Sequence, residues 1–489
     1  MSSLRESAWQ TTKTFAWLFA ALAMVALLSQ PGATHDEWYH VSSVWCGHGE
    51  REPFCPRLHP ETGTATIKLD LTNCQRNPEE PLLCPINGFG YSEPVTNFGL
   101  YPKAFYFVLS WFVVPWSDNA VVVVRIVNAL IVAAVLGLLM ILLIPRYRLV
   151  LSFVILTTIS GTGYFLFASI NPSSWAALGI GVGWLGVHAA FASSGISRRR
   201  RIALLIGGLG MWSMALGSRW DSASFLAVVV TLVALHLLSL RAPKAHLKIG
   251  GALAVLVAVM TLVLEVRTPL RPSIYSGRLL SFEPGEPNNV TFFTHYVFQG
   301  LPNVLRSLGT VPTMSQLLIP DIVYVLGLAV LAACVGITYK GYSRLQTLGA
   351  LLIIASISLV IMIQVAEVDN RDPFGVEPRY SYPLLLFLAS WWFLLGPTNL
   401  HERLLRYFQP LMAVNVGLFA LTMFTVAERY IDRQTFGIRY LPEGPDQWWW
   451  SWLPVGPNVV VVLAPICLWK FFSGLKMLVE QDDHQVIVR

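Results

Sequence analysis

Apolar runs recur along the whole chain and are separated by short polar stretches. Many approach the roughly 20 residues that a helix needs to cross a bilayer. We read about twelve such runs, at 14–30, 119–144, 149–168, 174–194, 202–217, 222–240, 249–266, 319–339, 346–365, 381–396, 409–427 and 456–473. No polar linker interrupts the series. The sequence therefore predicts an all-α polytopic membrane protein with a single transmembrane domain over residues 1–489.

Clusters of Lys and Arg fall between these runs at regular intervals. They are Arg146 and Arg148; Arg198 to Arg201; Arg241, Lys244 and Lys248; Lys340 and Arg344; Arg403 and Arg406; and Lys470 and Lys476. Two apolar runs lie between consecutive clusters. Because positive residues favour cytoplasmic loops, the pattern predicts that every cluster faces inward and that both termini are cytoplasmic.

Two apolar segments do not fit the series simply. Residues 102–116 are short and flanked by proline, which favours an amphipathic helix on the outer surface over a further span. The first run follows Arg5 and Lys13, a pattern shared with cleaved signal peptides, but no convincing small-x-small cleavage site follows it. We therefore interpret the first run as a retained span.

Composition supports the membrane interpretation and excludes several classes of function. Charged residues make up 13% of the 489 residues, about half the share typical of soluble domains, and the mean hydropathy is +0.57. The sequence contains no phosphate-binding loop, dinucleotide-binding glycine pattern, zinc-protease motif or nucleophile elbow. The basic residues form short clusters beside spans, so we do not expect nucleic acid as a partner.

The first predicted outer loop, residues 31–118, holds a conspicuous polar motif and most of the cysteines. The motif HDEWYH places Asp36 and Glu37 directly after the first span. The cysteines are Cys46, Cys55, Cys74 and Cys84. Paired cysteines persist outside the reducing cytosol, so two disulfides are predicted, with three pairings open. A zinc site built from Cys46, His48, Cys55 and His59 is the rival interpretation, although the spacing matches no usual ligand pattern.

The remaining predicted outer loops collect further polar residues. They cover 169–174, 218–224, 267–318, 364–383 and 428–452, and 267–318 is the second large extracytoplasmic loop. Ionisable residues near membrane depth often mark functional sites. Simpler roles stay open: Asp36 and Glu37 can be a solvated loop start, Arg219 and Asp221 an ion pair that fixes a short loop, and Arg379 an interface anchor.

The order of these motifs resembles a known family. The acidic pair and His40 form P-x-x-x-x-DE-x-x-H after the first span, NFGLYPKAFYFVLSW follows at 97–111, and RIVNALIVAAVLGLL begins at 125. ASINPSSWA, SRWDSASFL and FGVEPRYSYPLLLFL then appear in sequence. This series is similar to a bacterial polytopic family placed in the GT-C glycosyltransferase superfamily. The family more often has Gly where this chain has Pro378, and Asp where it has Ser173.

The resemblance implies a chemistry and roles for particular residues. GT-C enzymes transfer a sugar from a polyprenyl-phosphate donor to an acceptor, here a cell-envelope glycan or lipid, on the outer face of the membrane. The acid after the first span implies Asp36 as general base, with Glu37 supporting it or binding the acceptor. Candidate ligands for the donor phosphate are Arg219, Arg278, Arg379 and His295, and the supporting residues are His40, Asp221 and Tyr380.

Cofactor, location and an alternative function complete the expectations. Some superfamily members use a divalent metal, but the sequence shows no evident ligand set, so no cofactor or metal ligand is assigned. The implied location is the bacterial inner membrane, with the active site facing outward and membrane lipids as neighbours. The alternative is a transporter or flippase of a lipid-linked envelope precursor, although the chain shows no half-to-half symmetry and its charge concentrates in outer loops.

The topology can be tested by single-cysteine labelling in intact cells. Cysteines introduced at Gly285 and Gly437, in predicted outer loops, should react with a membrane-impermeant thiol reagent. A cysteine at Ser197, beside a predicted cytoplasmic cluster, should not react. Labelling at Ser197 alone would show that the predicted orientation is inverted.

Overall fold

The computed structural model describes residues 2–28, 37–49, 101–113, 118–159, 161–241, 343–367, 378–396, 400–431 and 456–487, with isolated positions at 332, 333 and 336. This part of the chain is helical. The α-helices are α1 Ser2–Leu27, α2 Glu37–Trp45, α3 Ala104–Ser110, α4 Asp118–Leu142, α5 Pro145–Thr158, α6 Gly161–Phe167, α7 Ser173–Leu178, α8 Trp184–Ala192, α9 Arg198–Leu216, α10 Ser222–Arg241, α11 Arg344–Glu367, α12 Pro378–Leu394, α13 Leu400–Ile431 and α14 Pro457–Ile487. A π-helical turn, Gly179–Gly183, joins α7 to α8.

Six helical segments in the described residues are long and apolar enough to cross a membrane. They are Glu6–Leu27, Ala120–Leu142, Ser173–Ala192, Ser222–Leu240, Leu405–Ala427 and Pro457–Gln481, and two shorter apolar helices cover Arg344–Ser358 and Tyr380–Leu394. The polytopic prediction is thereby confirmed in outline. The predicted spans 249–266 and most of 319–339 lie outside the described residues, so the number twelve stays a prediction.

The predicted span 149–168 is formed by two short helices rather than one. α5 ends at Thr158 and α6 begins at Gly161. A break at membrane depth leaves backbone carbonyls that protein groups must satisfy. The side-chain amide of Asn415 donates to the Leu156 carbonyl at 2.7 Å, and the Tyr382 hydroxyl donates to the Thr158 carbonyl at 3.0 Å. The break is therefore stabilised by α12 and α13.

The next span also departs from a regular α-helix. Its π-helical turn packs against α12, where the Ser390 hydroxyl donates to the Gly181 carbonyl at 2.9 Å and accepts from the Trp184 indole at 2.8 Å. Glycine is required at 181 because a Cβ there would collide with the side chain of Leu386. Sequence periodicity did not predict this local change of helix type.

Two arginines at one end of the bundle bind the carbonyl end of α4. Arg148 donates to the Met140 and Ile141 carbonyls, and Arg200 donates to Leu142 and Leu143. The last carbonyls of a helix lack intrahelical partners, and cationic side chains suit that end of the helix dipole. Two of the basic clusters predicted to be cytoplasmic therefore lie at the same end of the bundle, as the alternation requires.

The described part of 102–116 is too short to span. α3 has seven residues, about 10 Å of helix against a hydrocarbon core of about 30 Å. It buries Phe105, Tyr106 and Leu109 while Phe107 and Trp111 are exposed. This two-sided pattern agrees with the predicted amphipathic helix.

A close contact between α9 and the π-turn span generates a stability prediction. A Cβ at Gly208 would lie 2.8 Å from the Gly183 carbonyl and 2.9 Å from the Val187 nitrogen. Both are backbone atoms, so rotation of a side chain cannot relieve the clash. Gly208→Ala should therefore lower the free energy of unfolding by about 1–3 kcal/mol, as overpacking does. Thermal unfolding of purified protein in detergent measures the change.

Gly210 provides the matched control in the same helix. A Cβ at this position would meet nothing within 4 Å. Because alanine has the higher helix propensity, Gly210→Ala should be neutral or slightly stabilising. Equal destabilisation by both substitutions would contradict close packing as the reason for Gly208.

Candidate functional site

The polar motifs of several predicted outer loops meet at the end of the bundle opposite the arginine-capped carbonyls. Arg125, in the first third of α4, lies 17 residues before Leu142 at its end. That interval corresponds to about 25 Å of helix. Residues from the ends of α1, α6 and α9 and from the starts of α2, α4, α7, α10 and α12 contact one another here.

A buried ion pair between Arg125 and Glu37 forms the base of this site. Both side chains are fully buried. The Arg125 Nε donates to Glu37 Oε1 at 2.7 Å, and its Nη2 donates to Oε2 in a bidentate arrangement. A further guanidinium N–H donates to the Ala26 carbonyl at 2.9 Å. The pair therefore joins the end of α1, the start of α2 and α4.

The loop between α6 and α7 extends this network. The Ile170 backbone N–H donates to Glu37 Oε1 at 3.2 Å. On the other side, Asn128 of α4 donates to the Ser169 carbonyl at 2.9 Å and accepts from the Trp175 indole at 3.0 Å. Within the loop, the Asn171 side chain accepts from the Ser173 N–H at 2.9 Å. The Asn-Pro-Ser-Ser segment is thus held in one conformation by buried hydrogen bonds.

Arg219 and Asp221 form a second bidentate pair, in the short loop before α10. Arg219 Nε donates to Asp221 Oδ1 at 2.8 Å, and Nη2 donates to Oδ2. Nη1 donates to the Ser173 hydroxyl at 2.6 Å. Ser173 is only three residues from Ile170, so the same loop connects the two ion pairs.

The guanidinium of Arg219 also lies over the ring of Tyr380, 4.5 Å from its centroid, in a cation–π arrangement. Burial acts to lower the pKa of Arg219, but the charge of Asp221 and the hydrogen bonds to it raise this pKa by more. The net shift is upward, so Arg219 is a permanent cation. Tyr380 begins the described side chains of α12, which brings the late RY motif into the site.

Aromatic and imidazole side chains complete the site beside Arg219. His40 Nδ1 and the Tyr106 hydroxyl are hydrogen-bonded at 2.8 Å, and the His40 ring stands edge-on to Tyr101 at 5.1 Å. Tyr101 is also close enough to Arg219 to raise its pKa. His40 therefore connects α2 to α3 and to the residues around Arg219.

α3 is fixed to the bundle by contacts from the same region. The Phe105 N–H donates to the Gly217 carbonyl at 3.2 Å, and the Phe105 ring stands edge-on to Trp175 at 5.1 Å. A Cβ at Gly217 would collide with Ala104, so glycine permits this approach. The motif NFGLYPKAFYFVLSW thus contributes Tyr101 and Tyr106 directly to the site.

The structure brings together only some of the site residues predicted from sequence. Glu37, His40, Arg219, Asp221 and Tyr380 lie in the network just described. Asp36, Arg278, His295, Cys55, Cys74, Cys84 and His59 lie outside the described residues, and Arg379 is described only as part of the α12 backbone. The roles assigned to these residues stay predictions.

The cysteine predictions have a similar outcome. Cys467, in α14, is a buried free thiol. Cys46 is buried in α2's C-terminal turn, and its predicted partners are not described. Both the disulfides and the rival zinc site therefore remain predictions. Within the described ranges, no group of three or more His, Cys, Asp or Glu side chains could hold a metal ion.

Sequence reasoning assigned no role to several residues that form the network. Arg125, Asn128, Tyr101 and Tyr106 all lie in stretches that carried the family resemblance, but none was named as a site residue. The signal at Arg125 was its position inside an apolar run, where a charge needs a buried partner. Nothing in the local sequence indicates that the partner is Glu37, 88 residues earlier.

Comparison with known proteins identifies the family. The model of the family described as predicted membrane protein (DUF2142) matches residues 89–388, more than half of the chain. The chain belongs to this family. No curated protein and no solved structure matches. The family match includes α3 to α10 and the first part of α12, so it covers Arg125, Ser173, Arg219 and Tyr380.

The buried pair predicts strong energetic coupling between Arg125 and Glu37. Arg125→Met leaves an unpaired buried carboxylate and should cost about 3–5 kcal/mol of stability. Glu37→Leu leaves an unpaired guanidinium and should cost a similar amount. The double variant removes both charges and should recover much of the loss. A double-mutant cycle of unfolding free energies in detergent measures the coupling.

Lys476 and Glu480 provide a matched exposed pair, 3.6 Å apart and partly solvated. Lys476→Met should cost no more than about 1 kcal/mol, because solvent screens such pairs. A double variant at 37 and 125 that is as unstable as the two single losses added together would show that the two residues do not act as a pair.

Proposed function

We propose that this protein is a polyprenyl-phosphate-dependent glycosyltransferase of GT-C type, acting at the outer face of the bacterial inner membrane. The supporting observation is the convergence of the motifs that carry the family resemblance. Glu37, Ser173, Arg219 and Tyr380 come from four separate regions of the chain. They are connected at one end of the bundle by hydrogen bonds to Glu37 and Ser173, by the loop 169–174 and by a cation–π contact.

The rigidity around Glu37 supports Asp36 as the general base. Asp36 precedes Glu37, whose carboxylate accepts hydrogen bonds from Arg125 and from the Ile170 N–H. With both carboxylate oxygens engaged, Glu37 suits a supporting role better than proton transfer. A base is most effective when its backbone is held in place before the substrate arrives.

The proposed reaction is a direct displacement at the anomeric carbon. Asp36 accepts the proton of an acceptor hydroxyl as that oxygen bonds to the anomeric carbon. The bond from this carbon to the phosphate oxygen breaks, and polyprenyl phosphate leaves with the electron pair. The anomeric configuration is inverted. The lipid tail of the donor remains in the bilayer, which gives a physical reason for an active site at the end of a membrane bundle.

Residues around the network take supporting roles in this proposal. His40, hydrogen-bonded to Tyr106, orients α2. Arg278, Arg379 and His295 are the proposed ligands of the donor phosphate, whose growing charge they would stabilise. Arg219 is the weakest phosphate candidate of the set, because Asp221 already neutralises it. A divalent metal would bind together with residues outside the described ranges.

Substitution of Asp36 tests the proposal. Asp36→Asn keeps the size of the side chain and removes the basic oxygen. It should lower turnover by about 10²–10⁴ with little effect on folding. The measurement is sugar transfer from a labelled polyprenyl-phosphate donor by purified protein, accompanied by thermal unfolding.

Asp70→Asn serves as the control, because Asp70 is another carboxylate of the first outer loop and has no assigned role. It should transfer sugar at the wild-type rate. Wild-type turnover by a folded Asp36→Asn protein would remove Asp36 from the mechanism. Movement of a labelled lipid-linked precursor across vesicles without any transfer would instead support the transporter or flippase alternative.

A further inference from the structure

The charges in the described part of the site are balanced. Arg125 is paired with Glu37, and Arg219 is paired with Asp221. Each pair is bidentate, so its two charges largely cancel at the distance of a bound ligand. Ser173 and Tyr380, the other side chains that contact Arg219, are uncharged. Among these described side chains, a phosphate group would find no net positive charge to offset its desolvation.

Solvent exposure shows which member of the second pair can meet a ligand. The Arg219 side chain is 6% exposed, whereas the Asp221 side chain is 34% exposed. The carboxylate therefore faces the accessible side and the guanidinium lies beneath it. A ligand reaching this point encounters a negative group first, and that order disfavours an anion.

Two partly exposed aromatic rings belong to the surroundings of this ion pair. Tyr380 is half-buried and contacts the Arg219 guanidinium. Tyr101 is half-buried, stands edge-on to His40 at 5.1 Å and acts to raise the pKa of Arg219. The Arg219 guanidinium covers one face of the Tyr380 ring. Carboxylate oxygens accept hydrogen bonds from vicinal hydroxyls, and an aromatic ring packs against the C–H groups of a sugar. This combination suits an uncharged polyhydroxyl ring.

We infer that Asp221, Tyr101 and Tyr380 form a subsite for a neutral sugar ring, and that Arg219 fixes this subsite rather than binding phosphate. Each Asp221 oxygen accepts one hydrogen bond from Arg219 and retains a lone pair for a hydroxyl. The inference rests on the proposed sugar transfer. It assigns the sugar to Asp221 and the phosphate to residues outside this network.

Direct binding tests the subsite without requiring turnover. Purified full-length protein in detergent is mixed in turn with the methyl glycosides of glucose, galactose, mannose and arabinose. Saturation-transfer NMR then reports which sugar protons contact the protein. At least one sugar should show transfer, and Asp221→Asn should weaken its binding about tenfold, the loss expected for a hydrogen bond to a charged group. Inorganic phosphate should not compete.

Two further variants keep the test decisive. Tyr380→Leu removes the ring and leaves the Arg219–Asp221 hydrogen bonds in place. It should also weaken sugar binding, so the inference does not depend on Asp221→Asn folding normally. Glu480→Gln removes a partly exposed carboxylate on α14 and should leave binding unchanged. Failure of every sugar to show transfer that depends on Asp221 or Tyr380 would overturn the subsite, as would phosphate competition that is lost in Arg219→Gln.

The outcomes separate this inference from the proposed function. Sugar binding that depends on Asp221, in a protein that transfers no sugar, would retain the subsite and remove the enzyme. Sugar transfer at the wild-type rate by both Asp221→Asn and Tyr380→Leu would retain the enzyme and remove the subsite.

Discussion

Arg125 is a fully buried cation in the first third of a predominantly apolar helix, α4. The groups that offset its charge determine how this end of the protein is built. Removing a guanidinium from water costs several kcal/mol, which only close hydrogen-bonded partners can offset. The partners are the Glu37 carboxylate and the Ala26 carbonyl. Meeting this requirement fixes the end of α1 and the start of α2 against α4. Ile170 then binds the same carboxylate, so the loop between α6 and α7 is positioned by it as well.

Ser173 shows how closely the charges of the site are matched. Its hydroxyl accepts a hydrogen bond from Arg219. An aspartate would place a second carboxylate beside a cation that Asp221 already neutralises, and the local charge would become negative. With serine, the pair stays neutral and the loop keeps its connection to α10. A neutral hydrogen-bond acceptor at 173 therefore holds Arg219 without adding a charge to the site.

Much of the architecture could be predicted from sequence, because hydropathy and basic clusters report on the membrane directly. The spans, the short helix after 102 and the common end of two arginine clusters follow from those signals. The break after Thr158 and the π-turn at 179–183 could not, since each depends on a distant partner such as Tyr382 or Ser390. A carbonyl that lacks a helical partner leaves no trace in hydrophobic periodicity.

The site was predictable in part, for a related reason. Motif order brought Glu37, His40, Arg219, Asp221 and Tyr380 forward as a set, and the structure describes all five in one network. Which carboxylate neutralises which guanidinium depends on three-dimensional contacts. Its positive charge made Arg219 a candidate phosphate ligand. Asp221, two residues later, was also recognised as a possible ion-pair partner of Arg219. The neutralised charge of Arg219, the greater exposure of Asp221 and the ring of Tyr380 together favour the sugar over the phosphate.

The π-turn has a geometric consequence for the span that contains it. A π-helical turn accommodates one more residue than an α-helical turn, so the helix beyond it is rotated by about 100° relative to an uninterrupted α-helix. Ser173 and Ser174 lie before this turn and face the polar network, while His188 lies after it and hydrogen-bonds Tyr147 and His236. The directions in which side chains point before and after the π-turn are therefore set separately. One end can satisfy the polar site while the other independently satisfies a histidine contact deep between helices.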